Sequence, residues 1–307
     1  MQRLKHFVES QQLNRDIIFD LFRHADRFRS QKWVEPILDK KILMTLFYEP
    51  STRTRLSFES AMTRLGGHVL TTENAKEFSS AVKGESIEDT IRVVSSYAHC
   101  IVIRHHENGS IKRAAELSKV PVINAGDGSG QHPTQALLDL YTIYKEIGRI
   151  RDIKVAMVGD LKNGRTTRSL SYLLGKFPNI QITFISAPNL KMSDDVKTYL
   201  ARHNVKFDEG SKLGVVLPEV DVVYMTRIQK ERMGEKDYKM ANGNYIIDES
   251  NFNLLKPEAR IMHPLPKVGE IKLPVDVEEK DPRVAYFRQA ENGLYVRMAV
   301  LEHLIRR

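Results

Sequence analysis

The residues best suited to chemistry in this chain are cations and hydroxyls placed where apolar runs end. The densest group is Phe47-Tyr48-Glu49-Pro50-Ser51-Thr52-Arg53-Thr54-Arg55. The apolar run Ile42 to Phe47 ends there, and a helical pattern follows, with Phe58, Ala61, Met62 and Leu65 at i, i+3, i+4 and i+7. Pro50 and Ser51 suit an ordinary helix start, but arginines in a first turn oppose the helix dipole unless an anion sits beside them. Ser51, Thr52 and Thr54, with the unpaired N–H groups of the helix start and the Arg53 fork, would then surround a phosphate. Arg104 ends a second apolar run, Cys100 to Ile103, where open parallel sheets place ligands. Arg165, in Gly159-Asp160-Leu161-Lys162-Asn163-Gly164-Arg165, and Arg227, in Met225-Thr226-Arg227-Ile228-Gln229-Lys230-Glu231-Arg232, offer forks suited to carboxylates. His132 lies in a flexible glycine-rich loop ahead of Pro133; by itself it is more often a loop or capping residue than a catalyst.

These side chains need a frame, and the spacing supplies one. Short apolar runs alternate with helical patterns throughout, as a parallel sheet with crossover helices requires. Expected strands are Ile42 to Phe47, His68 to Thr71, Cys100 to Ile103 and Val122 to Asn124, then Ile153 to Val158, Ile180 to Ile185, Val220 to Met225, Tyr245 to Ile247 and Arg260 to Met262. Ile87, Ile91 and Val94 mark another helix, Ala136 to about Ile147 another, and Tyr286 to Ile305 a terminal one. The fold class is α/β: two similar-sized domains, each a mainly parallel sheet flanked by helices, with the terminal helix returning to the first domain. A chain of 307 residues suits two domains. Their expected bounds are 1–133, completed by a helix of about 287–307, and 134–286, with a hinge near Gly148 to Asp152.

Composition narrows the class. Hydrophobic residues at 41% and charged residues at 28% are ordinary globular values, which argues against a disordered or membrane-spanning chain. The formal charge of +8 favours anionic partners without choosing among them. The one cysteine, Cys100, excludes an intrachain disulfide and argues against a cysteine-based zinc site. Arg3, Lys5, His6 and Glu9 occupy the place of a signal peptide's apolar core, so the expected location is cytoplasmic, or an organelle if a transit peptide has been removed.

Ser51-Thr52-Arg53-Thr54-Arg55 resembles the carbamoyl-phosphate signature of the aspartate and ornithine carbamoyltransferase family. Arg104-His105, Asn124-Ala125-Gly126-Asp127-Gly128, His132-Pro133-Thr134-Gln135 and His263-Pro264-Leu265-Pro266 are similar to further family motifs, in the family's order. The similarity runs from roughly residue 40 to the end. It implies that Ser51, Thr52, Arg53 and Thr54 hold the phosphate of carbamoyl phosphate, that Arg104 lies at its phosphate and carbonyl side, and that His132 donates to the carbamoyl oxygen. Gln135 and the backbone carbonyls of Leu265 and Pro266 would receive the carbamoyl amino group. Arg53, Thr54, Arg104 and His132 form the implied catalytic set.

For the acceptor, the segment from Met225 to Arg232 looks like an aspartate-binding loop. The cysteine and the Ser-Met-Gly loop typical of the ornithine branch are absent. The resemblance therefore implies carbamoyl transfer to the α-amine of L-aspartate, an early step of pyrimidine synthesis; transfer to ornithine or another amino acid is the alternative. Arg165 would take the α-carboxylate and Arg227 the side-chain carboxylate, with Gln229 assisting. Ser79 and Lys83 resemble a loop that enters the neighbouring subunit's site, Lys83 reaching aspartate, which implies a homotrimer with shared sites. Glu49 would meet Arg165 and Arg232 on domain closure. No metal or cofactor is implied, and nothing in these motifs bears on separate regulatory chains. A dinucleotide-binding enzyme is disfavoured because Val158-Gly159-Asp160 lacks the G-x-G-x-x-G fingerprint. Nucleic-acid binding is disfavoured because basic residues are spread among acidic ones with no aromatic platforms.

Overall fold

The computed structural model describes residues 3–306, apart from Ser79, Asn242 and Asn244. The chain divides into two compact units, one of Met1–Leu138 with Asn292–Arg307 and one of Asp139–Glu291. The chain passes from the first unit to the second within one helix and returns within the terminal one, so neither division falls in a loop.

In the first unit, helix α1 (Arg15–Ser30) precedes strand β1 (Ile42–Phe47), α2 (Thr52–Arg64), β2 (His68–Glu73), the short α3 (Ala75–Phe78) and α4 (Ile87–Val94). Then come β3 (Cys100–His105), α5 (Ser110–Leu117), β4 (Val122–Asp127) and the start of α6 (Pro133–Ile147). The four strands pair in parallel in the order β2-β1-β3-β4. Ile101, Val102, Ile103, Val122 and Ile123 are all fully buried, as strands covered on both faces require. Local chemistry sets the helix ends. Asn14 caps α1 by accepting from the Ile17 N–H at 2.9 Å, and Ser86 caps α4 through the Asp89 N–H at 3.1 Å. Gly66, at φ +84°, stops α2 with its N–H on the Thr63 carbonyl; a Cβ there would lie 2.4 Å from Pro36.

The second unit contains β5 (Ile153–Val158), α7 (Arg165–Leu174), β6 (Ile180–Ile185), α8 (Asp194–Arg202), β7 (Lys206–Gly210), α9 (Leu213–Val216) and β8 (Val222–Met225). It continues with α10 (Glu235–Ala241), β9 (Ile247–Asp248), β10 (Arg260–Met262), β11 (Ile271–Lys272), α11 (Val275–Lys280) and the start of α12 (Tyr286–Ile305). Five strands pair in parallel in the order β10-β8-β5-β6-β7. The core under this sheet gathers Ala156, Val158, Ile185, Val223, Met225 and Ile261.

The structure differs from the expected element list in instructive places. β3 and β4 run on past the apolar residues, because Arg104 pairs with Phe47 and His105 with Asp127 in the ladder. The strand expected at Tyr245 to Ile247 is Ile247–Asp248 and pairs with β11 in a separate two-stranded sheet. β7, Lys-Phe-Asp-Glu-Gly, lies at a sheet edge and has no apolar alternation to betray it. Nor does the expected list include α1, although Asn14 and its buried face of Ile17, Ile18, Leu21, Phe22, Ala25 and Phe28 have the helical signature.

Candidate functional sites

Strand order reverses once in each main sheet, between β1 and β3 in the first unit and between β5 and β8 in the second. Open parallel sheets bind ligands beyond the carboxyl ends of their strands at such switch points, because the adjoining loops depart to opposite faces and leave a crevice. The segment from Glu49 to Thr54 and Arg104 follow β1 and end β3. The segment from Gly159 to Arg165 and the one beginning Thr226-Arg227 follow β5 and β8.

In the first unit the Tyr48 N–H donates to the Arg104 carbonyl at 2.9 Å, tying the two strand ends together. Ser51 occupies the N-cap of α2, yet its side chain does not cap the helix. Its hydroxyl instead accepts from Nη1 of Arg104 at 3.4 Å, while Nε of Arg104 lies 3.4 Å from the Glu49 carboxylate. The first turn of α2 contains no acidic residue. Its two arginines differ in surroundings. Arg55 is neutralised by Glu59 at 3.1 Å and Glu73 at 2.7 Å, whereas Arg53, among the described residues, has no carboxylate partner. Partial burial lowers the pKa of Arg53 from the ordinary arginine value. Thr54 is buried beside it and Thr52 is exposed. Arg53, the hydroxyls and the helix N-terminus thus meet where Arg104 has Glu49 beside it but Arg53, among the described residues, has no carboxylate to balance it.

His132 and Gln135 are buried at the start of α6, and the His132 carbonyl accepts from the Gln135 and Ala136 N–H groups at 3.1 Å. Nδ1 of His132 lies 3.4 Å from the Thr134 hydroxyl. The loop ahead of it is less free than its glycines suggest. Asp127 accepts from the Gln131 N–H at 2.6 Å and the Gly109 N–H at 3.0 Å, and Asn108 accepts from the Ser129 N–H at 2.7 Å. Lys83 is exposed in the short turn Ser80–Lys83; Ser79 lies outside the described residues.

In the second unit Gly159, at φ +116°, ends β5 so close to β8 that a Cβ would sit 2.2 Å from the Thr226 carbonyl oxygen. Thr226 closes the junction by donating its N–H and hydroxyl to the Val158 carbonyl at 2.8 and 2.9 Å. Arg165, buried, then opens α7, and Arg227 leaves β8. Glu231, four residues beyond Arg227, takes both of its terminal nitrogens, one at 3.0 Å and the other closer. That bond raises the pKa of Arg227 and lowers that of Glu231. Gln229 donates to the buried Asp160 carboxylate at 3.5 Å, and burial raises the Asp160 pKa. Arg232 follows in the same turn, its N–H on the Gln229 carbonyl at 3.0 Å.

Leu265 is a non-glycine residue at φ +53°, joined to Pro266 by a cis peptide. Its N–H donates to Nδ1 of His263 at 2.8 Å, and Nε2 of His263 lies 2.7 Å from Glu270. Glu231, Glu270 and Gln289, which touches the His263 N–H, were not among the expected site residues. Only Glu231 had a sequence signal, its place within the Met225 to Arg232 segment four residues from Arg227.

Residues 5–145 match the family model for the aspartate/ornithine carbamoyltransferase carbamoyl-P binding domain, and residues 151–304 that for the Asp/Orn binding domain of the same family. Aspartate carbamoyltransferase 2, chloroplastic, of Pisum sativum is 54% identical over 99% of this chain and 79% of its own length. The aspartate carbamoyltransferase catalytic subunit of Methanocaldococcus jannaschii is 47% identical over 98% of both chains. Its solved structure superposes with a TM-score of 0.88. A Trypanosoma cruzi aspartate transcarbamoylase in complex with carbamoyl phosphate and aspartate superposes with a TM-score of 0.91 at 37% identity, covering 98% of this chain and 97% of that one. With both domain models matched in order and such identity sustained along nearly all its length, this chain belongs to the aspartate/ornithine carbamoyltransferase family.

Proposed function

We propose that the chain is the catalytic chain of an aspartate carbamoyltransferase, transferring the carbamoyl group of carbamoyl phosphate to L-aspartate to give N-carbamoyl-L-aspartate and phosphate. The observation that carries this reading is the first switch point: Ser51 turned from capping toward Arg104 beside an Arg53 with no described carboxylate partner. Relatives named aspartate carbamoyltransferase at 54% identity, and the T. cruzi complex with both substrates, support it.

Ser51, Thr52, Arg53, Thr54 and Arg104 hold the phosphate. Arg104, Thr54 and His132 face the carbamoyl oxygen, where negative charge builds as the uncharged α-amine of aspartate attacks the carbonyl carbon. With its ring proton on Nε2, His132 donates to that oxygen, and Nδ1 is left to accept from the Thr134 hydroxyl 3.4 Å away. The C–N bond forms, the C–O bond to phosphate breaks, and the departing phosphate takes the amine proton. Gln135 and the carbonyls of Leu265 and Pro266 orient the carbamoyl amino group. Arg165 and Arg227, with Gln229, take the acceptor's carboxylates. No protein nucleophile is needed, so rate comes from orientation and preorganised charge.

We extend the reading to a homotrimer in which Lys83 and Ser79 serve the neighbouring subunit's site, and to a closure role for Glu49 and Arg232; family resemblance supports both. The compartment we assign is the cytoplasm or an organelle, as for the chloroplastic plant relatives. The direct test is a side-by-side assay of carbamoyl transfer to aspartate and to ornithine. Transfer to aspartate alone is expected; preference for ornithine, or no transfer to either, would overturn the reading.

A further inference from the structure

We propose that His263 and Glu270, with Gln289 behind them, are positioning residues that hold the Leu265–Pro266 backbone in the orientation its carbonyls need to receive the carbamoyl amino group. This rests on the role given to those carbonyls above. The chain of bonds begins at the Leu265 N–H, which donates to Nδ1 of His263 at 2.8 Å. A nitrogen that accepts carries no proton, so the proton of the neutral ring is on Nε2, which faces Oε1 of Glu270 at 2.7 Å. Glu270 in turn accepts from the Gly269 N–H at 2.9 Å and the Val268 N–H at 3.2 Å. Donors therefore approach this carboxylate from both the ring and the backbone, a demand that only an ionised carboxylate meets.

The other flank is pinned from a different direction. The His263 N–H donates to Oε1 of Gln289 at 2.8 Å, and Nε2 of Gln289 donates to Asp139 at 2.6 Å. The second oxygen of Asp139 accepts from the Tyr224 hydroxyl, also at 2.6 Å, and this orients the amide of Gln289. His263, Glu270, Gln289 and Asp139 are all buried, so water does not substitute readily for a lost partner. Burial works against the charge on Glu270, but its bonds to His263 and the Gly269 N–H win and hold its pKa down to about 2. Leu265, in a left-handed conformation uncommon for a branched side chain, depends on such outside support. The relay leaves the Leu265 N–H engaged and its carbonyl to serve the ligand.

Substitution separates orientation from folding. In Glu270→Gln one carboxylate oxygen becomes a donor. Turned toward the ring, the new NH2 selects the other tautomer and sets Nδ1–H against the Leu265 N–H; turned the other way, it opposes the Gly269 N–H. In His263→Asn the Oδ1 still accepts from the Leu265 N–H two residues on, but the link to Glu270 is gone. The experiment compares full-length wild type, Glu270→Gln, His263→Ala and His263→Asn in steady-state kinetics, inorganic phosphate binding and thermal unfolding. Glu270→Gln and His263→Ala should raise KM for carbamoyl phosphate by about tenfold, the effect of one buried group left unsatisfied. Phosphate affinity should stay near wild type although both variants unfold at a lower temperature, the unfolding curve showing that each is folded under assay conditions, and His263→Asn should recover most of the KM effect of His263→Ala. Unchanged KM in Glu270→Gln, a parallel loss of phosphate affinity, or an Asn variant no better than Ala would overturn the proposal. Absence of transfer by the wild type would instead remove the function on which it rests.

Discussion

At the residue scale, Arg53 and Arg55 are two positions apart on one helix, yet only Arg55 has described carboxylate partners. Arg53→Ala should therefore lower kcat/KM by about 10²–10³-fold with the fold intact, the usual cost of a donor aimed at developing charge. Arg55→Ala should act mainly on stability, by about 1 kcal/mol or less for each partly exposed ion pair it loses. Equal kinetic losses in the two would remove the distinction. A second contrast concerns the acceptor. Glu231 occupies Nη1 and Nη2 of Arg227, leaving the Nε side of the guanidinium to meet a carboxylate. Arg227→Ala should raise KM for aspartate by about 100-fold through loss of a charged anchor. Glu231→Gln, which removes only an exposed orienting pair, should raise it by about fivefold or less. A fall in KM for Glu231→Gln would show that Glu231 competes with substrate. Motif spacing singles out Ser51 to Thr54, Arg104 and Arg227 as candidate anion binders, and the strand order places them at the two switch points. Gln289 was not legible because it joins residues 26 and 150 positions away, and Glu270 because it meets His263 across an irregular loop that no periodic pattern describes.

At the element scale, apolar periodicity finds strands where their interiors are buried and loses them where function begins. The expected ends at Ile103 and Asn124 are where apolar character stops. The ladder goes on through Arg104 and Asp127, since backbone pairing is indifferent to the side chains it carries. β7, a polar edge strand, offered no signal at all. Strand order, which decides where the two candidate sites lie, is set by contacts that periodicity does not encode. The junction of β5 and β8 shows how tightly an element positions a site. Gly159→Ala would push a Cβ into the Thr226 carbonyl oxygen at a φ of +116°. The expected destabilisation is more than about 1 kcal/mol. Because Arg227 directly follows Thr226, KM for aspartate should rise while the affinity for inorganic phosphate, for which the first unit is the proposed site, stays unchanged. Denaturant titration, aspartate kinetics and phosphate binding on the same preparation test this, and a variant with native kinetics would sink it.

At the scale of the whole molecule, two quantities go beyond any single site: acid stability and assembly. His105 is buried against His106 and Tyr48, and His6 is half-buried beside Lys5; both have their pKa lowered from 6.5 to about 4, burial being the largest cause. The unfolded chain takes up these protons near pH 6.5 and the folded chain only near 4, so their contribution is complete above the first value and falls as pH drops through that window. Glu270 adds a later loss, its stabilisation present above pH 4.5 and removed toward about 2. His105→Asn, which keeps an acceptor for the Glu107 N–H, should flatten the slope of unfolding free energy between about pH 6.5 and 4; an unchanged slope would contradict the histidine's part in it. Assembly is tested by mixing. If a site combines the Arg53 pocket of one chain with Lys83 of its neighbour, neither Arg53→Ala nor Lys83→Ala alone retains a whole site. A trimer containing both kinds of chain has one interface in which an intact pocket meets an intact Lys83. With equal amounts and free exchange, about three-quarters of trimers are mixed and about a third of their sites are restored, giving about a quarter of wild-type activity. Recovery near that level, dependent on subunit exchange, is the expected result; none after exchange has been verified by mass would mean that each chain completes its own site.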